Sequence, residues 1–426
     1  MTPARCVALA MVFGACWLGA TSAQAQYPAP AGPGAYPGPM VVDGPPMSPG
    51  DPGFSPYRTP QPMQGVPSAW DIEVPDDGTL LPHPAIFSGS GFARVEYLNY
   101  NFSGPGDVLL GAPVAGNPDP SQKFIIFAPG TDVPNYYGQV PDLLSTDLRD
   151  VSGIRTTLGF EFANGGTVEV SAFMTGQRKS TTIHENFGSS DVNFNGITIT
   201  LPNAYATSVL ANGQASDLFY VYNQRFESIY QSQLWGADLN FLPDYDVDGL
   251  FHFRPIFGAK FLNLHERLSQ YGIFQELAPV PAFQSSIIST VQNYLGGGQA
   301  GVRAELVTRF FDLGAEGKFL VMSNTMSGTV QTANFRFDGD PQVTTTDNTT
   351  QMSLGFDLIG WGVLHVHPSV DLRIGYNFIY LTNVTRPAGN IYYNETGIDN
   401  PAGVVMKMAK EDFIANGVSL GADFKW

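Results

Sequence analysis

The chain has two cysteines, Cys6 and Cys16, and both lie within its first twenty residues. Beyond them there is none, so disulfides, thiol catalysis and cysteine metal sites are excluded there. The same downstream region lacks any run of about 18 apolar residues, the length a membrane helix needs. Positive charge is also scarce. There are 21 Lys and Arg against 38 Asp and Glu, a formal charge of −17, which is the opposite of a nucleic-acid footprint. A Gly-x-Ser-x-Gly nucleophile elbow is missing, and Ser88-Gly-Ser-Gly91 falls short of one, which argues against a serine hydrolase.

What is present begins with an export signal. Arg5 precedes the apolar or small stretch Cys6–Ala20, and Ala23-Gln24-Ala25 is a small-x-small cleavage site. This order predicts a signal peptide over 1–25, cut before Gln26. Phe13-Gly14-Ala15-Cys16 makes a poor lipoprotein box, because Phe suits its first position badly. Removing Arg5 leaves 20 bases against 38 acids, or −18, and that acidity favours cations near the surface.

Residues 26–85 read as a Pro/Gly-rich periplasmic linker. Gln26 to Pro67 holds 13 Pro and 7 Gly in 42 residues, too many to build ladders or bury a core. From about Phe87 the pattern changes to period two. Ile154, Thr156, Leu158, Phe160 and Phe162 alternate with Arg155, Thr157, Gly159 and Glu161. Ala163-Asn164-Gly165-Gly166 follows as a hairpin signal, and then Val168, Val170, Ala172 and Met174 alternate with Glu169, Ser171 and Phe173. The same grammar recurs around Trp235, Phe257, Val302, Phe319, Phe356, Ile374 and Leu420, with a less regular strand near Phe92 to Tyr100. Pro255 suggests a bulge in its strand.

These segments predict an all-β fold over 86–426: a transmembrane antiparallel up-and-down β-barrel of about ten strands, most of 9–12 residues. Short periplasmic turns fall near 163–166, 242–250, 308–310 and 362–368. Long extracellular loops fall near 103–151, 176–229, 265–298, 323–350 and 381–412. Possible strands at Ile197–Leu201 and Phe219–Tyr222 leave twelve open. Phe424 and Trp426, on an amphipathic last strand ending in an aromatic, resemble the C-terminal signal read by barrel-assembly machinery.

Several segments carry a family resemblance: Gly153-Ile-Arg-Thr-Thr-Leu-Gly-Phe160, Leu234-Trp-Gly-Ala-Asp-Leu-Asn240, Gly258-Ala-Lys-Phe-Leu-Asn-Leu-His-Glu266, Asn293-Tyr-Leu-Gly-Gly-Gly-Gln-Ala-Gly301, Asn416-Gly-Val-Ser-Leu-Gly-Ala-Asp-Phe424 and, most specifically, Gly375-Tyr-Asn-Phe-Ile-Tyr-Leu-Thr-Asn-Val-Thr-Arg-Pro387. The sequence resembles the β-barrel porin family abundant in planctomycete bacteria, from Phe87 to the C-terminus. Lys260 and His265 depart from the Arg and Asp that the resemblance leads one to expect. The resemblance implies an outer-membrane location and a barrel more firmly than it implies transport.

The candidate site is the set of charges on the inward face. The acids are Glu96, Glu161, Glu169, Asp238, Glu305, Asp312, Glu316, Asp357, Asp371 and Asp423; the bases are Arg94, Arg155, Arg254, Lys260, Arg303, Lys318, Arg373 and Lys425. Unpaired charges in a narrow interior are costly, so they should pair or meet water. Eight strands are just filled by side chains, and ten lie near that end. Two functions stay open: weakly cation-preferring passage of small hydrophilic solutes or ions, or a plugged structural or surface-interaction barrel acting through its outer loops. Neither needs a catalytic residue, cofactor or metal. Asp244-Tyr-Asp246-Val-Asp248-Gly249 imitates a calcium loop but has Pro255 where the twelfth position needs Glu. His365-Val-His367 has no acid at ligand spacing in sequence. Gly296-Gly297-Gly298 lacks the Lys-Ser or Lys-Thr of a phosphate loop and reads as a flexible loop end. The expected partners are outer-membrane lipid, the assembly machinery and small solutes or ions. The sequence leaves oligomeric state unspecified.

Overall fold

The computed structural model describes residues 90–115, 122–128, 130–162, 165–185, 187–243, 251–275, 281–395 and 404–426. The expected signal peptide, the linker and the Asp244–Asp248 motif lie outside them. Every regular element among the described residues is a strand. The first nine are β1 (Gly91–Phe102), β2 (Phe124–Phe127), β3 (Pro134–Gln139), β4 (Val151–Glu161), β5 (Thr167–Thr175), β6 (Arg178–Glu185), β7 (Ser189–Phe194), β8 (Ile197–Ala211) and β9 (Gln214–Tyr222). They are followed by β10 (Arg225–Leu242), β11 (Phe251–Phe274), β12 (Phe283–Val307), β13 (Phe311–Ala333), β14 (Val343–His367), β15 (Val370–Val384), β16 (Ile391–Glu395), β17 (Val404–Met406) and β18 (Glu411–Lys425).

Ten of them form a closed antiparallel wall in the order β1-β4-β5-β10-β11-β12-β13-β14-β15-β18, and β18 pairs back onto β1. β5 and β6 share the same edge of β10: β5 pairs with Trp235–Leu242 and β6 with Arg225–Ser232. The tight turns 162–166, 308–310 and 368–369 share one end of the barrel with both ends of its wall, where Gly91 and Trp426 exchange backbone hydrogen bonds of 3.1 Å. In the first of these turns, Gly165 and Gly166 take φ of 81° and 117°, the left-handed backbone that a tight turn demands.

Three expectations need correction. The strands are longer than one bilayer crossing: β11 to β14 run 24, 25, 23 and 25 residues. Most of the expected loops 265–298 and 323–350 is therefore strand, including Gly296–Gly298. Gly297 has a packing role there, since a Cβ on it would come within 2.1 Å of the Val321 carbonyl oxygen. Pro255 causes no bulge, and the β11–β12 register runs through Pro255↔Val302 without a shift. The strands expected inside the loop 176–229 exist, as β8 and β9, but they belong to a second sheet, so the wall keeps ten.

Three of the long strands, β10, β12 and β13, divide into two halves of opposite polarity. On β13 the outward residues Phe311, Leu313, Ala315, Phe319 and Val321 are apolar, and beyond them Ser323, Thr325, Ser327, Thr329 and Gln331 are polar. Facing inward, Asp312, Glu316 and Lys318 give way to Leu320, Met322, Met326 and Val330. The same inversion occurs on β12 near Tyr294 and on β10 near Trp235. From Phe311 to Val321 is ten steps, which at about 3.3 Å each and a tilt of about 40° rise about 25 Å, the height of a lipid-facing band. The upper half stands above that band. Its outside meets water and its inside is a conventional apolar core.

A second sheet closes the upper end. Its path is β17-β16-β8-β3-β2, and β7 and β9 also pair with β8. These strands come from the connections after β1, β5 and β15. Leu110, Leu143, Leu148, Val209, Tyr222, Ala388, Ile391 and Met406 from those connections join one core with wall residues such as Leu98, Leu264, Leu295, Leu320 and Phe413.

Candidate functional site: a charge belt below a capped mouth

Twelve of the eighteen predicted inward charges meet at the level of the apolar band. Six are carboxylates (Glu96, Glu169, Asp238, Glu316, Asp357, Asp423) and six are cations (Arg94, Arg155, Lys260, Arg303, Lys318, Arg373), so the belt is neutral. Arg303 grips Glu169 with two bonds of 2.7 Å and donates to Glu316 at 2.6 and 2.8 Å. Lys318 continues the chain from Glu316 (2.7 Å) to Asp357 (3.3 Å), and Lys260 from Asp357 (2.7 Å) to Asp238 (3.4 Å). Opposite them, Arg155 forks onto Glu96 at 2.6 and 2.9 Å, and Arg94 onto Asp423 at 2.7 and 3.0 Å. Arg373 lies 3.8 Å from Glu96 and stacks 4.4 Å from the ring centre of Trp361.

These bonds cross the lumen. Arg303 and Glu169 stand on β12 and β5, with β10 and β11 between them in the wall. Lys260 and Asp357 span β12 and β13 in the same way, and Arg155 reaches Asn377 (2.9 Å) across β1 and β18. Forked, charge-assisted bonds make such burial tolerable. The cavity left within the belt measures about 40 Å³, room for only a few water molecules at roughly 10–15 Å³ each.

The other six predicted charges sit at the short-turn rim, not inside the belt. Glu161 is exposed and takes a hydrogen bond from Ser90, and Lys425 is half exposed beside Asp371. Arg254 pairs with Glu305. His365, expected to flank a turn without acids nearby, points inward from β14 between Asp312 (3.2 Å) and Asp371 (2.9 Å). The fold supplies neighbours that linear spacing could not reveal. Phe424 and Trp426 are exposed at this rim, on the outer surface.

Sequence reasoning missed the bond that fastens the cap. Arg386, just past β15, is fully buried, forks onto Glu266 of β11 with two bonds of 2.9 Å, and donates to the carbonyls of Ser103 (2.9 Å) and Gly104 (3.1 Å). Tyr230 donates to the same carboxylate at 3.1 Å. This cluster lies above the apolar band, where the outward neighbours of Glu266 are His265 and Arg267. Burial opposes the guanidinium charge, yet Glu266 holds Arg386 above its ordinary pKa. Burial pushes the Tyr230 hydroxyl well up. Asn293 adds a second fastening, donating to the Thr385 carbonyl (2.9 Å) and accepting from its N–H (2.8 Å). The available signal was Thr385-Arg386 within the most family-like segment.

Comparison with known proteins gives remote structural likenesses and one family match. Solved structures similar to this chain include the outer membrane protease OmpT from Escherichia coli (9% identity, 81% of this chain and 98% of that chain, TM-score 0.43). A Pseudomonas aeruginosa FadL homologue matches at 9% identity over 79% and 90% of the two chains, with a TM-score of 0.26. The outer membrane channel DcaP of Acinetobacter baumannii matches at 8% identity over 79% and 96%, with a TM-score of 0.11. Among curated proteins none matches. The family model described as "Putative beta barrel porin-7 (BBP7)" matches residues 141–426, about two-thirds of the chain. A ten-stranded wall with an apolar outer band and this match over most of its length make the protein a member of that family of outer-membrane β-barrels.

Proposed function

We propose that this barrel is sealed at rest and works from its outward cap, with the lumen serving as a rigid core that holds the cap in the membrane. One observation carries the reading: the belt of crossed ion pairs leaves a cavity of about 40 Å³, and an apolar layer with Leu264, Leu295, Leu320 and Phe413 lies directly above it. Membership of a porin family supports a non-catalytic role. Lipid around the apolar band, and assembly machinery reading Phe424 and Trp426, are the partners this reading requires. Planar-bilayer recording of the purified protein tests it. Many insertions without discrete currents are expected; a steady ohmic conductance in the folded wild type would overturn the sealed state.

A second reading is passage of small hydrophilic solutes or ions, weakly preferring cations, once the belt rearranges. The rim supports it, with Glu161, Glu305, Asp312 and Asp371 against Arg254 and Lys425. If currents are recorded, Asp312→Asn together with Glu305→Gln should shift the reversal potential toward zero in a salt gradient. An unchanged potential would remove the rim as the source of selectivity.

A further inference from the structure

We propose that the outward cap carries a binding pocket for a single acidic sugar unit. This deepens the reading of the cap as the working face and rests on it. The pocket lies between the cap sheet and the tip of β6 and measures about 280 Å³, near the lower end of small-ligand sites, which run from about 300 to 1,000 Å³. That size suits one ring better than an extended chain.

The parallel register of β3 and β8, Tyr137↔Asn203 and Gln139↔Tyr205, puts four polar or aromatic side chains on one face. His184 and Phe187 also line the pocket. The His184 ring lies 4.6 Å from that of Tyr205, and Phe187 meets Tyr205 edge-on at 5.3 Å and 73°. Asn203 is fixed by donating to the Phe187 carbonyl and accepting from Ser190, both at 2.9 Å. The walls are therefore held in place before any ligand arrives, which lowers the ordering cost of binding.

The electrostatics select the ligand's charge. Lys123 sits 5.6 Å from the centre of the Tyr137 ring and joins no ion pair among the described residues. Glu185, at the pocket edge, is already held by Arg225 at 2.7 Å. Among the described lining residues Lys123 is the one cation outside an ion pair; Arg225 is shared with Glu227, and Asp142 also acts on His184 and Tyr205. The Tyr205 hydroxyl lies 3.4 Å from Nδ1 of His184; with the hydroxyl donating, Nε2 carries the ring proton and is a second donor. Burial lowers the His184 pKa, although Asp142 opposes it, so this ring is a neutral donor at neutral pH. Aromatic faces take the C–H face of a pyranose, the imidazole N–H meets a ring hydroxyl, and the ammonium meets a carboxylate or phosphate.

Calorimetric titration of the purified full-length protein in detergent tests this, using glucuronate, glucose 6-phosphate and glucose in parallel. Saturable binding of at least one acidic sugar is expected, with glucose at least tenfold weaker. The acidic sugar that binds identifies the carboxylate or the phosphate as the recognised group. Lys123→Gln should remove the preference for charge. Tyr205→Ala should remove binding of every sugar, whereas Tyr205→Phe, which keeps the ring, should bind within threefold of wild type. Heat-modifiable electrophoretic mobility checks that each variant is folded. Absence of saturable binding by the folded wild type would overturn the proposal, and so would a preference unchanged by both Lys123→Gln and Tyr205→Ala. Failure here would leave the sealed lumen standing, because bilayer recording tests that separately.

Discussion

The lower and upper halves of β10, β12 and β13 are built from the same strands in the same register, yet they are inside-out copies of each other. Below Val321 on β13 the outward face is apolar and the inward face charged; above it the outward face is hydroxyl and amide and the inward face is apolar. The backbone is indifferent to the change. What differs is the solvent on each side. In the lower half lipid tails exclude polar groups from outside, so the polar residues needed by the alternation are turned inward and must neutralise one another. In the upper half water surrounds the wall and the cap excludes it from within, so the ordinary rule of soluble proteins returns. A barrel with water on both sides of its wall would need no such inversion.

Four substitutions probe the contrast, from the largest expected effect down, with the two outward arginines taken as one pair. Arg303→Met leaves Glu169 and Glu316 buried without their forked partner and is expected to cost about 3–5 kcal/mol of unfolding free energy. Urea titration in lipid vesicles measures it; a loss under about 1 kcal/mol would mean that the belt is wet. Ala300→Arg places a charge on the lipid-facing side of β12, with an expected cost of about 2–4 kcal/mol. Its counterpart Ser327→Arg, on the outward face of the upper half, should stay within about 0.5 kcal/mol. Equal costs at the two sites would erase the boundary. Gly297→Ala drives a Cβ against the Val321 backbone where polarity inverts, and overpacking of that kind costs about 1–3 kcal/mol.

The smallest effect is pH-dependent and confined to the upper half. Burial raises the pKa of Glu411, against the opposing charge of Arg386, while Glu266 nearby adds to the rise. The folded state therefore holds this proton more tightly than the unfolded chain. The resulting stabilisation is present below the ordinary carboxylate pKa and is lost as pH rises through the raised value. Glu411→Gln should raise the melting temperature at pH 7 and leave it unchanged at pH 4. An equal gain at both pH values would assign the effect to packing instead.

The same inversion explains what the sequence made legible. The lower half of each wall strand, such as Ile154–Phe160 or Leu313–Val321, has a plain period-two signal with lipid-facing apolar residues. Where the phase flips, as from Val321 to Met322 or from Tyr294 to Leu295, the alternation looks broken, and Ser323 to Thr332 reads as a polar loop although it is wall. Within the candidate site, the inward positions were readable from alternation. Their pairing was not, because Arg303 bonds Glu169 from three strands away and His365 meets Asp312 from another hairpin. Arg386 belongs to no strand, so no periodicity could have marked it. Its role emerges only when the connection after β15 folds over the mouth.

The most direct test is a single-cysteine scan of β13 from Phe311 to Ala333 in residues 26–426, which contain no cysteine of their own. A water-soluble maleimide is added to the folded protein in vesicles, and labelling is followed position by position. Outward positions should stay protected up to Val321 and label from Ser323 onward, while inward positions from Asn324 down to Glu316 stay protected in the belt and in the capped core. Rapid labelling at Glu316, Lys318 and Leu320 would contradict the account, since it would show a water-filled lumen behind an open mouth.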